Sequence, residues 1–366
     1  MADEKIRVLV VDDSSVVRRF LTNAITADPA LEVVGTAANG SIALQKIALL
    51  HPRVVTMDIE MPEMSGMQAL AAIRRTNPTL PVIMVSTLTE RGASATLEAL
   101  ALGATDYVTK PSSLSSGGDA DRDNFIRDLV VKLKGLGSRR SAVASRAAAP
   151  PVRVPIRPAL RPNARIEVVA IGVSTGGPNA LAELIPALPA SFPVPVVIVQ
   201  HMPPLFTKLL AERLAGKSAV GVREGSAGDP LAAGKVIIAP GNYHMIVERS
   251  TAGTKVRLNQ DPPENSCRPA VDVLFRSVSE IYGSGVLAVV MTGMGQDGLH
   301  GCEAVRARGG RVLAQDEKSS VVWGMPGFVA EAGLADEILP LNELATAIMR
   351  NLRTGRDPAR VITGRM

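Results

Sequence analysis

The chain has 366 residues, long for one domain and comfortable for two, and its 46% hydrophobic and 20% charged residues fit a folded globular protein. Aromatics make up only 3%, which argues against stacking platforms for bases or sugars, and Cys267 and Cys302 lie in no Cys-x-x-Cys or Cys/His pattern, which argues against a disulfide scaffold or a structural zinc. The net charge of +5 points to nucleic acid only until it is located: seven arginines lie between residues 138 and 165, and removing them from the 40 basic residues leaves 33 against 35 acidic ones.

Met1-Ala2-Asp3-Glu4-Lys5 carries no basic-then-apolar leader, and no apolar run approaches the roughly 18 residues of a membrane span. A cytoplasmic chain with no membrane insertion is expected, and a monomer. Up to residue 137, five short runs rich in β-branched residues alternate with segments of helical period. The runs are Ile6–Val11, Leu31–Thr36, Arg53–Met57, Pro81–Val85 and Asp106–Thr109; Ser15–Ala27, Ser41–Leu50 and Met67–Thr76 are periodic. Five βα units predict a doubly wound, flavodoxin-like (βα)5 domain over 1–137, with its site beyond the carboxyl ends of the strands.

Those ends carry Asp12 and Asp13, Asp58, Ser86 and Thr87, and Lys110. Clustered carboxylates repel unless a cation intervenes, and hard oxygen ligands suit Mg²⁺. Asp58 then suits attack on a phosphoryl group, with Lys110 balancing charge and the Ser86 hydroxyl free to follow the new phosphate. Taken singly each residue means little, since Asp13 or Ser14 would cap the next helix. Jointly, Val10-Val11-Asp12-Asp13, Met57-Asp58-Ile59-Glu60-Met61-Pro62, Met84-Val85-Ser86 and Val108-Thr109-Lys110-Pro111 resemble the receiver domain of two-component response regulators. That resemblance implies phosphorylation at Asp58, Mg²⁺ on Asp12, Asp13 and Asp58, a switch through Ser86, Thr87 and Lys110, and Tyr107 as the aromatic that follows it. Ser65 departs from the family, which often carries Asp there.

Residues 138–165 combine the arginines with Pro150, Pro151, Pro155, Pro158 and Pro162 and show no period, so a semi-extended linker is expected. Beyond it, 166–352 is expected to form a larger doubly wound α/β domain with a mainly parallel sheet, followed by a basic tail over 353–366. The run Ile166–Val173 ends in Gly172-Val173-Ser174-Thr175-Gly176-Gly177-Pro178 and then a helical pattern, Asn179–Leu188. A serine at such a turn faces backbone N–H groups at a helix start, as a nucleophile, a phosphate cradle or a cap. The next run, Pro195–Val199, separates these. A dinucleotide site would end it with an acid, but it ends with Gln200-His201, and an imidazole is the base a serine hydroxyl needs.

The run Gly285–Met291 precedes Thr292-Gly293-Met294-Gly295-Gln296-Asp297-Gly298. Asp297 would orient the imidazole, and the amides of Met294 and Gly295 are candidate oxyanion donors. The order Ser174, His201, Asp297 differs from that of α/β-hydrolases, which would need His244 or His300 with Asp229 or Asp297. The whole chain resembles chemotaxis response-regulator protein-glutamate methylesterases through these motifs together with Pro240-Gly241-Asn242-Tyr243-His244 and Gln315-Asp316-Glu317. The family implies hydrolysis of glutamate γ-methyl esters and deamidation of certain glutamines on chemoreceptor cytoplasmic domains, by Ser174, His201 and Asp297 without a cofactor. It also implies activation by phosphorylation, with a chemotaxis sensor histidine kinase as phosphodonor. A small-molecule esterase and a DNA-binding output domain are the alternatives; no basic recognition helix supports the latter, and no nucleic-acid partner is expected. Cys267, Cys302 and Trp323 receive no role, and burial is expected for each.

Overall fold

The computed structural model describes residues 4–111, 119–138, 165–251 and 253–353. The linker expected at 138–165 and the tail at 353–366 lie outside the described residues but for their end positions. Contacts divide the chain into two units, Met1–Val152 and Arg153–Met366.

In the first unit, β1 (Ile6–Val11), β2 (Leu31–Ala37), β3 (Val54–Asp58), β4 (Val82–Thr87) and β5 (Asp106–Lys110) alternate with α1 (Ser15–Thr26), α2 (Gly40–Leu50), α3 (Gly66–Thr76), α4 (Glu90–Ala101) and α5 (Asp119–Gly137). The order β2-β1-β3-β4-β5 is parallel throughout, the flavodoxin-like arrangement the sequence predicts. Helices on both faces explain the unbroken apolar runs: Val8 to Val11 and Val82 to Val85 have no exposed surface. Ser14 caps α1, and Ser65 caps α3 in a capping box with Gln68.

The second unit is built on seven strands, β6 (Val168–Val173), β7 (Val196–Gln200), β8 (Gly221–Glu224), β9 (Lys235–Ile238), β12 (Val286–Val290), β13 (Arg311–Gln315) and β14 (Glu337–Leu339). Their order is β14-β13-β12-β6-β7-β9-β8, every pair parallel. The antiparallel hairpin of β10 (His244–Ser250) and β11 (Gly253–Asn259) stands apart. The helices are α6 (Gly177–Leu184), α7 (Phe206–Ala215), α8 (Val271–Tyr282), α9 (Leu299–Ala307), α10 (Met325–Glu331) and α11 (Leu341–Arg353). One face of β6, β7 and β12 buries Val168, Val197, Val286 and Val290 against Leu274, Phe275 and Val278 of α8, each such side chain worth about 1.5–3 kcal/mol when fully buried.

The chain leaves β6 toward β7 on one side and later returns to β12 on the other. Beyond the carboxyl end of β6 lies the place where such a sheet opens a crevice. No helix among the described residues is long and apolar enough to cross a membrane.

Candidate functional site

The parallel register fixes what meets at that crevice. Val173 pairs with Gln200, so Ser174 and His201 are the next residues out on adjacent strands. The Ser174 amide donates to Thr292 O at 3.0 Å, which brings the loop after β12 alongside. Gly176 starts α6 at φ +77°, a conformation that favours glycine, and a Cβ on Gly177 would lie 1.9 Å from Gln200 Oε1. The buried Gln200 amide therefore packs on bare backbone, and its Nε2 donates to Ser174 O at 3.0 Å and to His201 O at 3.3 Å. Thr292 ties the turns together further, donating through Oγ1 to Thr175 O and accepting from Val322 N.

His201 Nε2 donates to Asp297 Oδ2 at 2.7 Å. The aspartate is 2% exposed, so its charge must be met by protein. Val271 N at 2.7 Å and Asp272 N at 3.0 Å, the first amides of α8, meet it together with Asn265 Nδ2 at 3.0 Å. Burial raises the Asp297 pKa, but His201 and these donors outweigh it and hold the carboxyl below its usual range. Asp272 does for α9 what Asp297 does for α8: its Oδ1 accepts from Gly298 N at 2.9 Å and Gly301 N at 2.6 Å.

The other imidazole nitrogen, Nδ1, faces Cys267 Sγ at 3.6 Å. Burial disfavours a charged ring, yet the sulfur on one side and Asp297 on the other prevail and push the His201 pKa up to about 10. Ser174 Oγ makes no hydrogen bond among the described residues. Catalytic contacts of this kind often close only once substrate is bound. The amides of Met294 and Gly295 likewise have no acceptor among the described residues, and Gly295 is exposed.

The competing histidines are placed elsewhere. His244 is buried, accepting from Ala270 N at Nδ1 and bonded to Pro262 O through Nε2, while the exposed His300 pairs with Glu303. Burial holds for Cys302, which has no exposed surface, but not for Cys267 or Trp323, which are both half-buried. Trp323 donates its indole N–H to Gln315 O. The sequence assigns no role to Cys267, Asn265 or Asp272. An acid in the first turn of an amphipathic segment could have singled out Asp272; nothing periodic marks the other two.

In the first unit, Lys110 Nζ lies 2.8 Å from Asp12 Oδ2 and 2.9 Å from Asp58 Oδ2. Carboxylate oxygens of Asp12, Asp13 and Asp58 lie within 4.8 Å of one another, a hard-oxygen set that fits Mg²⁺. Burial pushes the Asp58 pKa up to about 6 against the pull of Lys110. For Lys110, burial favours the neutral amine, but Asp58 and Asp12 prevail and raise its pKa. Ser86 is buried and donates to Gly92 O at 3.1 Å, Thr87 is exposed, and Tyr107 is buried beneath Lys132.

Comparison with known proteins places these two sites in context. The family model for CheB methylesterase matches residues 169–348, and that for the response regulator receiver domain matches residues 8–117. A protein-glutamate methylesterase/protein-glutamine glutaminase of Trichodesmium erythraeum (strain IMS101) is 51% identical over 351 residues, covering 95% of this chain and 99% of its own. One of the same description from Nocardioides sp. (strain ATCC BAA-499 / JS614) is 52% identical over 355 residues, covering 96% of each. The crystal structure of the Thermotoga maritima CheB methylesterase catalytic domain is similar with a TM-score of 0.50 at 42% identity, covering 51% of this chain and 99% of that one.

Proposed function

The chain belongs to the CheB methylesterase family, with a response regulator receiver domain ahead of the catalytic one, and from that premise we infer that it is a protein-glutamate methylesterase and protein-glutamine glutaminase. Its substrates are γ-methyl esters and certain glutamines on the cytoplasmic domains of chemoreceptors, and it serves adaptation in the cytoplasm. The observation that supports the assignment of roles is the single strand edge shared by Ser174, His201 and the buried, four-donor carboxylate of Asp297.

His201 Nδ1, the nitrogen not engaged by Asp297, takes the Ser174 proton as Oγ attacks the ester carbonyl. Asp297 holds the ring and offsets the imidazolium charge. The amides of Met294 and Gly295 receive the oxyanion, each such donor worth about 3–4 kcal/mol. The imidazolium returns its proton to the leaving methanol, or to ammonia from a glutamine. Water then attacks the acyl-enzyme with His201 again as base. The acyl group leaves as a carboxylic acid and Ser174 regains its hydroxyl.

Control comes from the receiver domain. Asp58 accepts a phosphoryl group from a sensor kinase, and Asp12, Asp13 and Asp58 would hold Mg²⁺, whose charge neutralises the phosphoryl oxygens. Lys110 pairs with the new charge, and the Ser86 hydroxyl exchanges Gly92 O for phosphate, with Thr87 and Tyr107 following. Such a switch acts only through a differential interaction with two states of the molecule. The methylesterase family match over residues 169–348 favours the hydrolase over the DNA-binding alternative.

The test is methanol release by Ser174→Ala, His201→Ala and the double variant. Each single change should lower kcat by at least about 10³, with the double little worse because the residues act as a unit. Independent, additive losses would contradict the assigned roles.

A further inference from the structure

Cys267 is carried to His201 by an unusual piece of backbone. Asn265 and Ser266 both have left-handed conformations, φ +53° and +62°, which are uncommon for non-glycine residues and rare as a consecutive pair. Paired hydrogen bonds between Glu264 and Cys267, at 3.1 and 2.9 Å, close the turn, and Arg276 clamps Glu264 through both carboxylate oxygens. Asn265 is bonded in turn to Asp272 and Asp297. The turn that carries the thiol is thus braced from several sides.

We propose that Cys267 Sγ and His201 Nδ1 form a binding site for a thiophilic divalent cation of the zinc class, and that an ion bound there switches the hydrolase off. The 3.6 Å between sulfur and nitrogen is the distance between two ligands on one tetrahedral ion, given Zn–S of about 2.3 Å and Zn–N of about 2.0–2.1 Å. Thiolate with imidazole selects zinc over Mg²⁺. On its far side the ring donates to Asp297, the outer carboxylate that orients and strengthens metal-binding histidines. Ligand atoms of all three residues lie within 4.8 Å of one another. The His201 side chain is 12% exposed and Cys267 is half-buried, so an ion has a route in and water can complete its coordination. Binding displaces the thiol proton and occupies the nitrogen that Ser174 requires. The separation of 66 positions between the two ligands hides the pair from any spacing rule.

Inhibition by such an ion rests on the hydrolase assignment above, but binding does not, and the test separates them. The full chain is titrated with Zn²⁺ in buffer free of thiol and chelator while methanol release is followed, and separately with Co²⁺ while the near-ultraviolet thiolate-to-cobalt absorption is read. Zinc should slow the wild-type protein and a chelator restore it. Cys267→Ala and Cys267→Ser should each need at least about tenfold more zinc for the same inhibition. The cobalt absorption should appear in wild type and in Ser174→Ala, and vanish in both Cys267 variants; Cys302, fully buried, cannot supply it. No cobalt–thiolate absorption, or equal zinc sensitivity with and without Cys267, overturns the proposal. A cobalt band in a protein that releases no methanol would sink the hydrolase assignment instead.

Discussion

His201 has an acid-capable neighbour on each nitrogen, Asp297 at Nε2 and Cys267 at Nδ1. Both favour the charged ring, and they prevail over burial to place its pKa at about 10. A general base works only unprotonated, so kcat/KM should climb with pH along a limb well above the ordinary imidazole range. Cys267→Ala removes one of the two charge-favouring groups and should move that limb to lower pH in a pH–rate profile; a limb that stays put would mean the sulfur does not act on the ring. At Asp58 the protein disfavours the charged form instead. A carboxyl whose pKa rises from 3.8 to about 6 on folding contributes stability that is full below pH 3.8 and lost as pH rises through about 6. Asp58→Asn cannot ionise, and it should stabilise the receiver domain at neutral pH by on the order of 2 kcal/mol in thermal or urea unfolding. That advantage should shrink as pH falls below 6. The places of Ser174, His201 and Asp58 were readable in the sequence because each follows a short apolar run, and that of Asp297 because a glycine-containing loop links it to one. Cys267 and Asn265 were not, because a turn with two left-handed residues delivers them and no period announces it.

At the scale of elements, α8 and α9 are joined by exchanged caps. Asp297, just before α9, receives the first amides of α8, and Asp272, in the first turn of α8, receives Gly298 N and Gly301 N. Asp272→Ala leaves those two amides buried without acceptors, at about 1–3 kcal/mol each. It also loosens the loop that carries Asp297, so denaturant midpoint and kcat should both fall. An unchanged kcat in a destabilised protein would confine Asp272 to structure. The strands that build the site were readable as β-branched runs buried on both faces. β8 and β9, with four residues each, and β14, with three, are too short to carry a distinguishable period in the sequence. The hairpin β10–β11 was visible only as the turn-forming Pro240-Gly241-Asn242-Tyr243 that precedes it.

For the whole molecule, two doubly wound units offer a phosphate-accepting pocket in one and a serine hydrolase edge in the other. We propose that the first controls the second by hindering receptor access until Asp58 is phosphorylated. Residues 150–366 alone should then turn over methylated receptor faster than the unphosphorylated full chain. Equal or lower activity of a folded fragment would remove inhibition from the account while sparing the esterase. The most direct measurement is methanol release from methylated chemoreceptor membranes by the full chain, with and without a small-molecule phosphodonor and Mg²⁺. The account predicts release that the phosphodonor accelerates in wild type and leaves unchanged in Asp58→Asn. No methanol under either condition, or the same acceleration in Asp58→Asn, would contradict it.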